Sequence, residues 1–223
     1  MRLLLNISIT ILLAFSLYSC SKSTITSPYQ DDALRYFPLE DGNYWLYAFT
    51  FISVDASVDI YDTISVELRM DYIEFDEDIQ QHILQRRIRE DSNAVWQEYD
   101  VITIKIDSLT LQWNENNLRY VKLTDPVYQS KSWDGNIYNT LTSQNYYYSE
   151  VNTTFETGDT IYSPCLYVLK NEIENVIQSI NAREVFAKDV GPVYEYEGNF
   201  SLQGGEINIG SSKELTLIKF GKQ

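Results

Sequence analysis

The chain has 223 residues, and its 32 acidic and 17 basic side chains give a formal net charge of −15. This excess of negative charge argues against nucleic acid as a partner and against attraction to anionic membrane surfaces. Eighteen tyrosines accompany only nine glycines and five prolines, a composition that favours β-strands and is unlike that of a disordered chain.

The N-terminal residues are typical of an export signal. Met1-Arg2 precede a largely apolar run over residues 3–17, which ends at Leu17-Tyr18-Ser19-Cys20. A basic start, a short apolar run and a small residue before the cleavage point define a secretory signal. A plain membrane anchor is disfavoured because a spanning helix needs roughly 20 apolar residues. An ordinary signal is disfavoured because the Ala-x-Ala-like site is absent.

Leu17-Tyr18-Ser19-Cys20 resembles the lipobox of bacterial lipoproteins. The resemblance implies cleavage between Ser19 and Cys20, diacylglycerol on the Cys20 thiol, and acylation of the new amino terminus. Two or more acyl chains on one terminus anchor a protein stably. We therefore expect Cys20 to be the lipid attachment site and the lipid to be the protein's contact with the membrane.

The residues after Cys20 bear on location and domain limits. Ser21 stands where an inner-membrane retention signal would have Asp, so we expect residence at the outer membrane of the cell envelope. Lys22 is followed by no acid before Asp31, which favours the periplasmic face over the cell surface. The predicted parts are a signal peptide (1–19), a flexible Ser/Thr-rich tether (20–32) and a single β domain (33–223).

Most of the remaining chain has the pattern of short β-strands. Ile64-Ser65-Val66-Glu67-Leu68-Arg69-Met70 alternates apolar and polar residues, as half-buried strands do. Turn residues such as Asp41-Gly42-Asn43 separate runs of this kind. Strands of this length with frequent turns predict an all-β antiparallel meander. The other expected strands are 44–51, 83–89, 95–99, 102–106, 109–113, 118–123, 145–155, 160–170, 184–188, 193–202 and 213–220.

One segment departs from the strand pattern. Ile173, Val176, Ile177 and Ile180 have the i, i+3, i+4, i+7 spacing of a helical stripe. We expect either a short helix or an irregular bend there, and at most one short helix in the domain.

Two Pro-to-Trp segments have the same spacing, one from Pro38 to Trp45 and the other from Pro126 to Trp133. They are either similar corners where a strand begins or a coincidence, since two copies do not establish a repeat. We expect Trp45 and Trp133 to be structural anchors in the core, each able to bury about 200 Å². The alternative is an aromatic binding surface.

Three segments together resemble the markers of a large group of uncharacterised bacterial lipoproteins. The usual pattern is an aromatic-Pro-Leu run before Gly-Asn-x-Trp, a second Trp marker, and a Tyr-Ala-Lys-x-Val-Gly-x-Val-Tyr run. Phe186, Asp41 and Ser130 depart from the commoner residues. The segments are Tyr36-Phe37-Pro38-Leu39 with Gly42-Asn43-Tyr44-Trp45, Pro126 with Lys131-Ser132-Trp133-Asp134-Gly135, and Glu184-Val185-Phe186-Ala187-Lys188-Asp189-Val190-Gly191-Pro192-Val193-Tyr194.

This resemblance implies a strongly curved antiparallel sheet or open β-barrel meander, similar to the open barrels of periplasmic lipoprotein carriers. Gly191 lies in the third marker, at a break between strands, and we expect it to be a structural anchor with Trp45 and Trp133. The group has no established activity that could be carried over to this chain.

Candidate reactive residues are few. His82 is the only histidine, which excludes multi-His metal sites, and its basic neighbours favour a surface position over a catalytic one. Cys165 is either a buried apolar residue or a reactive thiol, and the first is far commoner. Asp76-Glu77-Asp78 favours a solvated turn over a calcium site, because no calcium-loop pattern is present. We assign no catalytic, cofactor-binding or metal-binding residue.

Two functions remain open at this stage. The favoured one is a non-enzymatic binding or scaffold module whose concave sheet face holds an apolar ligand or an envelope partner protein. The alternative is an envelope carbohydrate hydrolase, which needs two carboxylates in one cleft and a raised pKa on at least one of them. The tyrosines fit either a ligand surface or ordinary packing in the sheet.

Overall fold

In the computed structural model of the chain, residues 33–223 are described, and the predicted signal peptide, Cys20 and the tether lie outside them. A 3-10 helix, Ala33–Tyr36, precedes twelve strands. Within this range no helix is long and apolar enough to cross a membrane. The strands are β1 (Asn43–Asp55), β2 (Ile60–Asp76), β3 (Gln81–Arg89), β4 (Gln97–Ile106), β5 (Thr110–Glu115), β6 (Leu118–Thr124), β7 (Ser132–Asp134), β8 (Asn145–Thr157), β9 (Thr160–Glu174), β10 (Gln178–Ala187), β11 (Gly191–Gln203) and β12 (Glu206–Lys222).

The twelve strands form one antiparallel sheet in the order β6-β5-β4-β3-β2-β1-β12-β11-β10-β9-β8-β7. Every neighbouring pair is a hairpin except β1 with β12, which joins the first strand to the last. The sheet curves until β6 and β7 face each other, giving a barrel that is nearly closed, with one unsealed seam. The prediction of an all-β, strongly curved meander is confirmed.

The segment with the helical stripe is a hairpin. Ile173 lies in β9 and Ile180 lies opposite it in β10, while Val176 and Ile177 belong to the turn between the two strands. A backbone hydrogen bond from Asn175 N to Gln178 O closes this turn at 2.9 Å. Of the two expected structures, the bend is therefore the correct one.

One backbone hydrogen bond and several side-chain hydrogen bonds bridge the seam between β6 and β7. Val121 N donates to Gly135 O at 2.9 Å, and Val121 O accepts from the indole nitrogen of Trp133 at 2.8 Å. The Tyr148 hydroxyl accepts from Thr124 N at 2.9 Å and donates to Thr124 O at 2.8 Å. These groups satisfy edge-strand backbone that would otherwise be buried without partners, at a cost of about 1–3 kcal/mol for each group.

The N-terminal part of the domain plugs one end of the barrel, which we call the closed end. Tyr36 and Phe37 are almost fully buried. The ring of Phe37 stacks on Trp113 at 5.7 Å and packs against Trp45 at 5.2 Å between centroids. Trp45 is itself fully buried and donates from its indole nitrogen to Val190 O at 2.6 Å.

Gly191 sits directly against this aromatic cluster. Its backbone has φ +109°, a conformation that residues with side chains rarely adopt. A Cβ at this position would lie 2.8 Å from Nε1 of Trp45, closer than packing allows. The third predicted anchor thus contacts the first, whereas Trp133 lies at the seam.

We expect Trp45→Ala to lower the free energy of unfolding by about 3–5 kcal/mol, because it removes a large, fully buried ring. Trp133→Ala should cause a smaller loss, since its ring is half-buried, although Val121 O also loses its donor. Chemical denaturation of both variants would measure these losses.

Trp96→Ala is the matched control, because Trp96 lies just before β4, outside the core cluster of the described residues, and its ring contacts the Arg89 guanidinium. Unchanged midpoints for Trp45→Ala and Trp133→Ala would contradict the anchor assignment and favour a binding role for both rings.

Candidate functional site

Charged side chains cross the interior of the barrel partway along its length. They come from seven different strands and alternate in sign, so that each contacts an opposite charge. We call this set the ion-pair layer. Its members are Arg86, Lys122, Lys170, Lys213, Glu115, Glu184, Glu195 and Glu197.

Lys170 is at the centre of the layer. Glu195 on β11 lies directly opposite Glu184 on β10, so a half-buried and a buried carboxylate would repel each other without a cation between them. Lys170 supplies that cation: its Nζ is 2.7 Å from Glu184 Oε1, 3.0 Å from Glu197 Oε1 and 3.5 Å from Glu195 Oε1. The side chain of Lys170 is only 4% exposed, and it needs these carboxylates to remain charged.

Three other cations complete the network. Lys213 Nζ is 3.1 Å from Glu195 Oε1 and 3.1 Å from Glu197 Oε2, and Lys122 pairs with Glu184. In a neighbouring group, Arg86 pairs with Glu115 and with Asp100, whose Oδ1 is 2.6 Å from Arg86 Nε.

The electrostatics favour the ionised forms of Glu195 and Glu197. Burial alone would raise the pKa of Glu195, but Lys213, Lys170 and Lys122 hold that pKa well below its ordinary value. The pKa of Glu197 is also lowered, because Lys170 and Lys213 outweigh burial and the nearby Glu195. Burial would lower the pKa of Lys170, yet Glu184, Glu195 and Glu197 raise it well above its ordinary value.

This pattern bears on the hydrolase alternative. Glu195 and Glu197 do converge in one recess, as two catalytic carboxylates would. A general acid, however, needs a raised pKa to hold a proton near neutral pH, and both pKa values are lowered. The lowered pKa values therefore do not suit either residue to the role of general acid near neutral pH.

Beneath the layer, towards the closed end, is a cavity of about 30 Å³. Tyr47, Trp113 and Phe186 line it together with Glu184. A water molecule needs roughly 10–15 Å³ of such space, so the cavity fits one or two waters and no larger apolar ligand. Glu184 Oε2 is buried, accepts no hydrogen bond from a described residue, and would accept one from such a water.

Above the layer the barrel is open, and we call this end the mouth. A recess of about 360 Å³ lies there, which is within the usual size range of ligand pockets. Lys170, Lys213 and Glu197 are among its lining residues, as are the apolar Phe51 and Ile180. The recess thus combines charged and apolar walls.

Six neighbouring strands continue past the layer on one side of the mouth. These parts of β1, β2, β9, β10, β11 and β12 cover residues 52–63, 171–181 and 198–212, and we call them the strand extension. On the other side β3 ends lower, at Arg89 opposite Glu67. The extension projects about 13 Å beyond the layer, at roughly 3.3 Å per residue.

Several apolar side chains lie on the inward face of the extension and of the strands just below it, among polar ones such as Asp55 and Asp62. Phe51 pairs directly with Lys213, so its side chain lies on the same inward face as the ion-pair layer. Side chains on a strand alternate between the two faces, so residues two or four positions from an inward-facing residue also face inward. Four of the isoleucines on this face are 39–55% exposed. We call this set the concave patch; its members are Phe51, Ile60, Ile64, Ile173, Ile180 and Ile209.

Cys165 is fully buried, and burial raises the pKa of its thiol to about 11. Its Sγ contacts Tyr162 O at 3.3 Å. The thiol is therefore a core group held in its neutral, unreactive form, which agrees with the commoner of the two alternatives.

The other candidates lie far from the mouth. His82 is half-buried rather than at an open surface: its Nδ1 is 3.2 Å from the Tyr72 hydroxyl, its ring packs on Phe75, and burial lowers its pKa. Asp76 accepts from the backbone nitrogens of Asp78 and Ile79, as an exposed turn residue does. Within residues 33–223 no group of three or more His, Cys, Asp or Glu side chains could hold a metal ion.

The ion-pair layer was missed in the sequence, although its members leave a trace there. Lys170 is in phase with the buried Leu166 and Val168, and Lys213 is in phase with Leu217. A charged residue on the apolar phase of a strand indicates a buried ion pair. The identity of the partners depends on pairing between distant strands and cannot be read from the pattern.

No protein-family model, curated protein or solved structure matches the chain. The functional assignment therefore rests on the geometry of the mouth. A floor of paired charges and a wall with exposed apolar side chains can together contact an occupant.

We expect stability to fall as the pH drops below about 4.5, the ordinary glutamate value. The pKa values of Glu195 and Glu197 are lower in the folded chain, so the unfolded chain takes up protons first. Their contribution is present above that pH and is lost as the pH falls through the folded-state values. Urea denaturation across this range would measure the loss.

Glu195→Gln should flatten this pH dependence, because the substituted side chain no longer titrates. Glu90→Gln, at an exposed carboxylate outside the layer, should leave it unchanged. Equal pH profiles for wild type and Glu195→Gln would contradict the role assigned to the layer.

Proposed function

We propose that the protein is a non-enzymatic binding or scaffold module of the cell envelope, anchored by lipid on Cys20, whose concave patch holds an apolar ligand or a partner protein. The observation that carries the proposal is the patch itself. Its four exposed isoleucines lie on one sheet face above the ion-pair layer. Exposed apolar side chains grouped on one face are a feature of interaction sites.

The position of the N-terminus supports this assignment. The described chain begins at Ala33, at the closed end, where Ala33 N donates to Asp125 Oδ1 at 2.8 Å. The chain therefore enters the described residues at the end opposite the mouth, away from the concave patch, as the proposed anchoring by lipid on Cys20 requires.

The interior geometry limits where the occupant can sit. The cavity beneath the ion-pair layer has a volume of about 30 Å³, so the proposed site is the concave patch above the layer. The hydrolase alternative gains no support, because Lys170 and Lys213 pair with the converging carboxylates and hold their pKa values low.

The anchoring part of the proposal predicts that wild-type protein incorporates a labelled fatty acid in a bacterial cell and that Cys20→Ala does not. The label should fractionate with the outer membrane. Cys165→Ala is the control, since the only other cysteine is buried and should not affect labelling. Equal labelling of Cys20→Ala and wild type would rule the attachment site out.

The binding part predicts position-specific crosslinking in the native cell. A photoreactive amino acid at Ile64 or Ile209 in the concave patch should give a defined adduct. The same residue at Ile161, which is 65% exposed near the start of β9 at the closed end, should give none. Indistinguishable adducts at the three positions, or no adduct at any of them, would contradict the proposed site.

A further inference from the structure

The strand extension has an unusual charge composition. Residues 52–63, 171–181 and 198–212, which form the strand extension, contain six carboxylates and no lysine or arginine. The ion-pair layer directly below contains four basic and four acidic side chains. Basic and acidic side chains are therefore equal in number in the ion-pair layer, whereas all the charged side chains of the strand extension are acidic.

Two of these carboxylates lie among the apolar residues of the concave patch. Asp55 is directly opposite both Ile60 and Ile209, so its side chain shares their face. Asp62 lies two residues beyond Ile60 on the same strand and has the same orientation. In the described part of the chain neither carboxylate pairs with a basic side chain, and Asp55 Oδ1 accepts only from Ser57.

The acidic residues at the turns of the strand extension also have no basic partner among the described residues. Asp59, Glu174 and Glu206 are exposed in or beside the three turns. Residues 33–223 provide none of them with an ion-pair partner. An occupant of the concave patch would meet negative charge both between the isoleucines and around the edge.

The size of the patch also limits its occupant. Six strands spaced about 4.8 Å apart, with about four residues each beyond the layer, give a face of roughly 24 by 13 Å, or about 300 Å². Obligate interfaces bury several times that area on each partner. A face of this size matches one extended or helical segment of a partner protein.

Charge argues against a lipid surface as the occupant. Anionic lipid headgroups would be repelled by carboxylates that have no neighbouring cation. The same carboxylates favour lysine and arginine and speed the approach of a basic partner. Complementarity of both kinds, apolar and electrostatic, describes a basic segment with an apolar face.

We propose that the concave patch binds a basic, amphipathic segment of a partner protein, with apolar side chains on Ile60, Ile64 and Ile209 and lysine or arginine on Asp55 and Asp62. This inference rests on the proposed function, because it specifies the occupant of the same patch. It adds a requirement of charge, which an apolar ligand site would not have.

The test uses the full chain with Cys20→Ser and three synthetic peptides of equal length. One is amphipathic with lysine and leucine, the second has glutamate in place of lysine, and the third has serine in place of leucine. Measured by fluorescence anisotropy, the lysine–leucine peptide should bind at least about tenfold more tightly than the glutamate peptide or the serine peptide. That affinity should fall as salt is added.

Two sets of variants assign the binding to the patch. The double variant Asp55→Asn with Asp62→Asn should lower the affinity for the lysine–leucine peptide about tenfold. The double variant Ile64→Ser with Ile209→Ser should lower it by a similar factor. Asp159→Asn with Ile161→Ser, at the closed end, is the matched control and should have no effect. Circular dichroism and denaturation midpoints would confirm that each variant remains folded.

The outcomes separate the inference from the function on which it rests. Equal binding of the lysine and glutamate peptides, lost in Ile64→Ser with Ile209→Ser, would overturn the charge requirement and leave an apolar binding site. Preferred binding to phosphatidylglycerol or phosphatidylcholine vesicles would overturn the protein partner. No binding of any peptide, or binding unaffected by both sets of patch variants, would overturn the inference, and the crosslinking result would then decide the proposed function separately.

Discussion

The pairing of the first strand with the last determines the architecture of this protein. All thirteen residues of β1 pair with β12, from Asn43 opposite Lys222 to Asp55 opposite Ile209. When the two ends of a meander join in this way, its middle strands become the edges of the sheet. The edges, β6 and β7, are consecutive in the chain and are brought together by the curvature of the sheet. The seam follows from this connectivity.

The same pairing places charges and apolar residues at different levels of one surface. Along β12, Lys213 faces inward within the ion-pair layer and Ile209 faces inward within the concave patch, because both occupy the same phase of the strand. The layer then separates a tightly packed lower barrel from an accessible upper face. Burying so many charges is costly unless every one is paired, and the spacing of the sheet provides those pairs.

Much of the fold was predictable from the sequence. Alternation identified β2 from residues 64–70, and the turn residues between runs gave the meander. The stripe at residues 173–180 was ambiguous because four apolar residues in a tight hairpin reproduce helical spacing by coincidence. Pairing across the sheet was not readable, since nothing local indicates that β1 contacts β12. The seam contacts of Tyr148 and the partners of Lys170 depend on that pairing and were missed for the same reason.

Prediction of the site was less complete than prediction of the strands. A concave sheet face was expected, but its boundaries depend on how far each strand extends, and β2 and β12 are each 17 residues long. Trp45 was recognised from its place after Pro38 and a turn. Its contact with Gly191 was not, because the two residues are far apart in the chain and meet only when the barrel closes.

The seam also gives the barrel an uneven resistance to deformation. In the described chain a single backbone-to-backbone hydrogen bond, Val121 N to Gly135 O, crosses from β6 to the segment after β7. The remaining crossings are side-chain contacts such as Asn139 Nδ2 to Arg119 O at 3.0 Å. Continuous ladders hold all the other neighbouring strands at a fixed spacing around the barrel, whereas mainly side-chain contacts hold β6 beside β7. Breathing motions that widen the barrel therefore cost least along this line, where the lumen can expand without breaking a ladder.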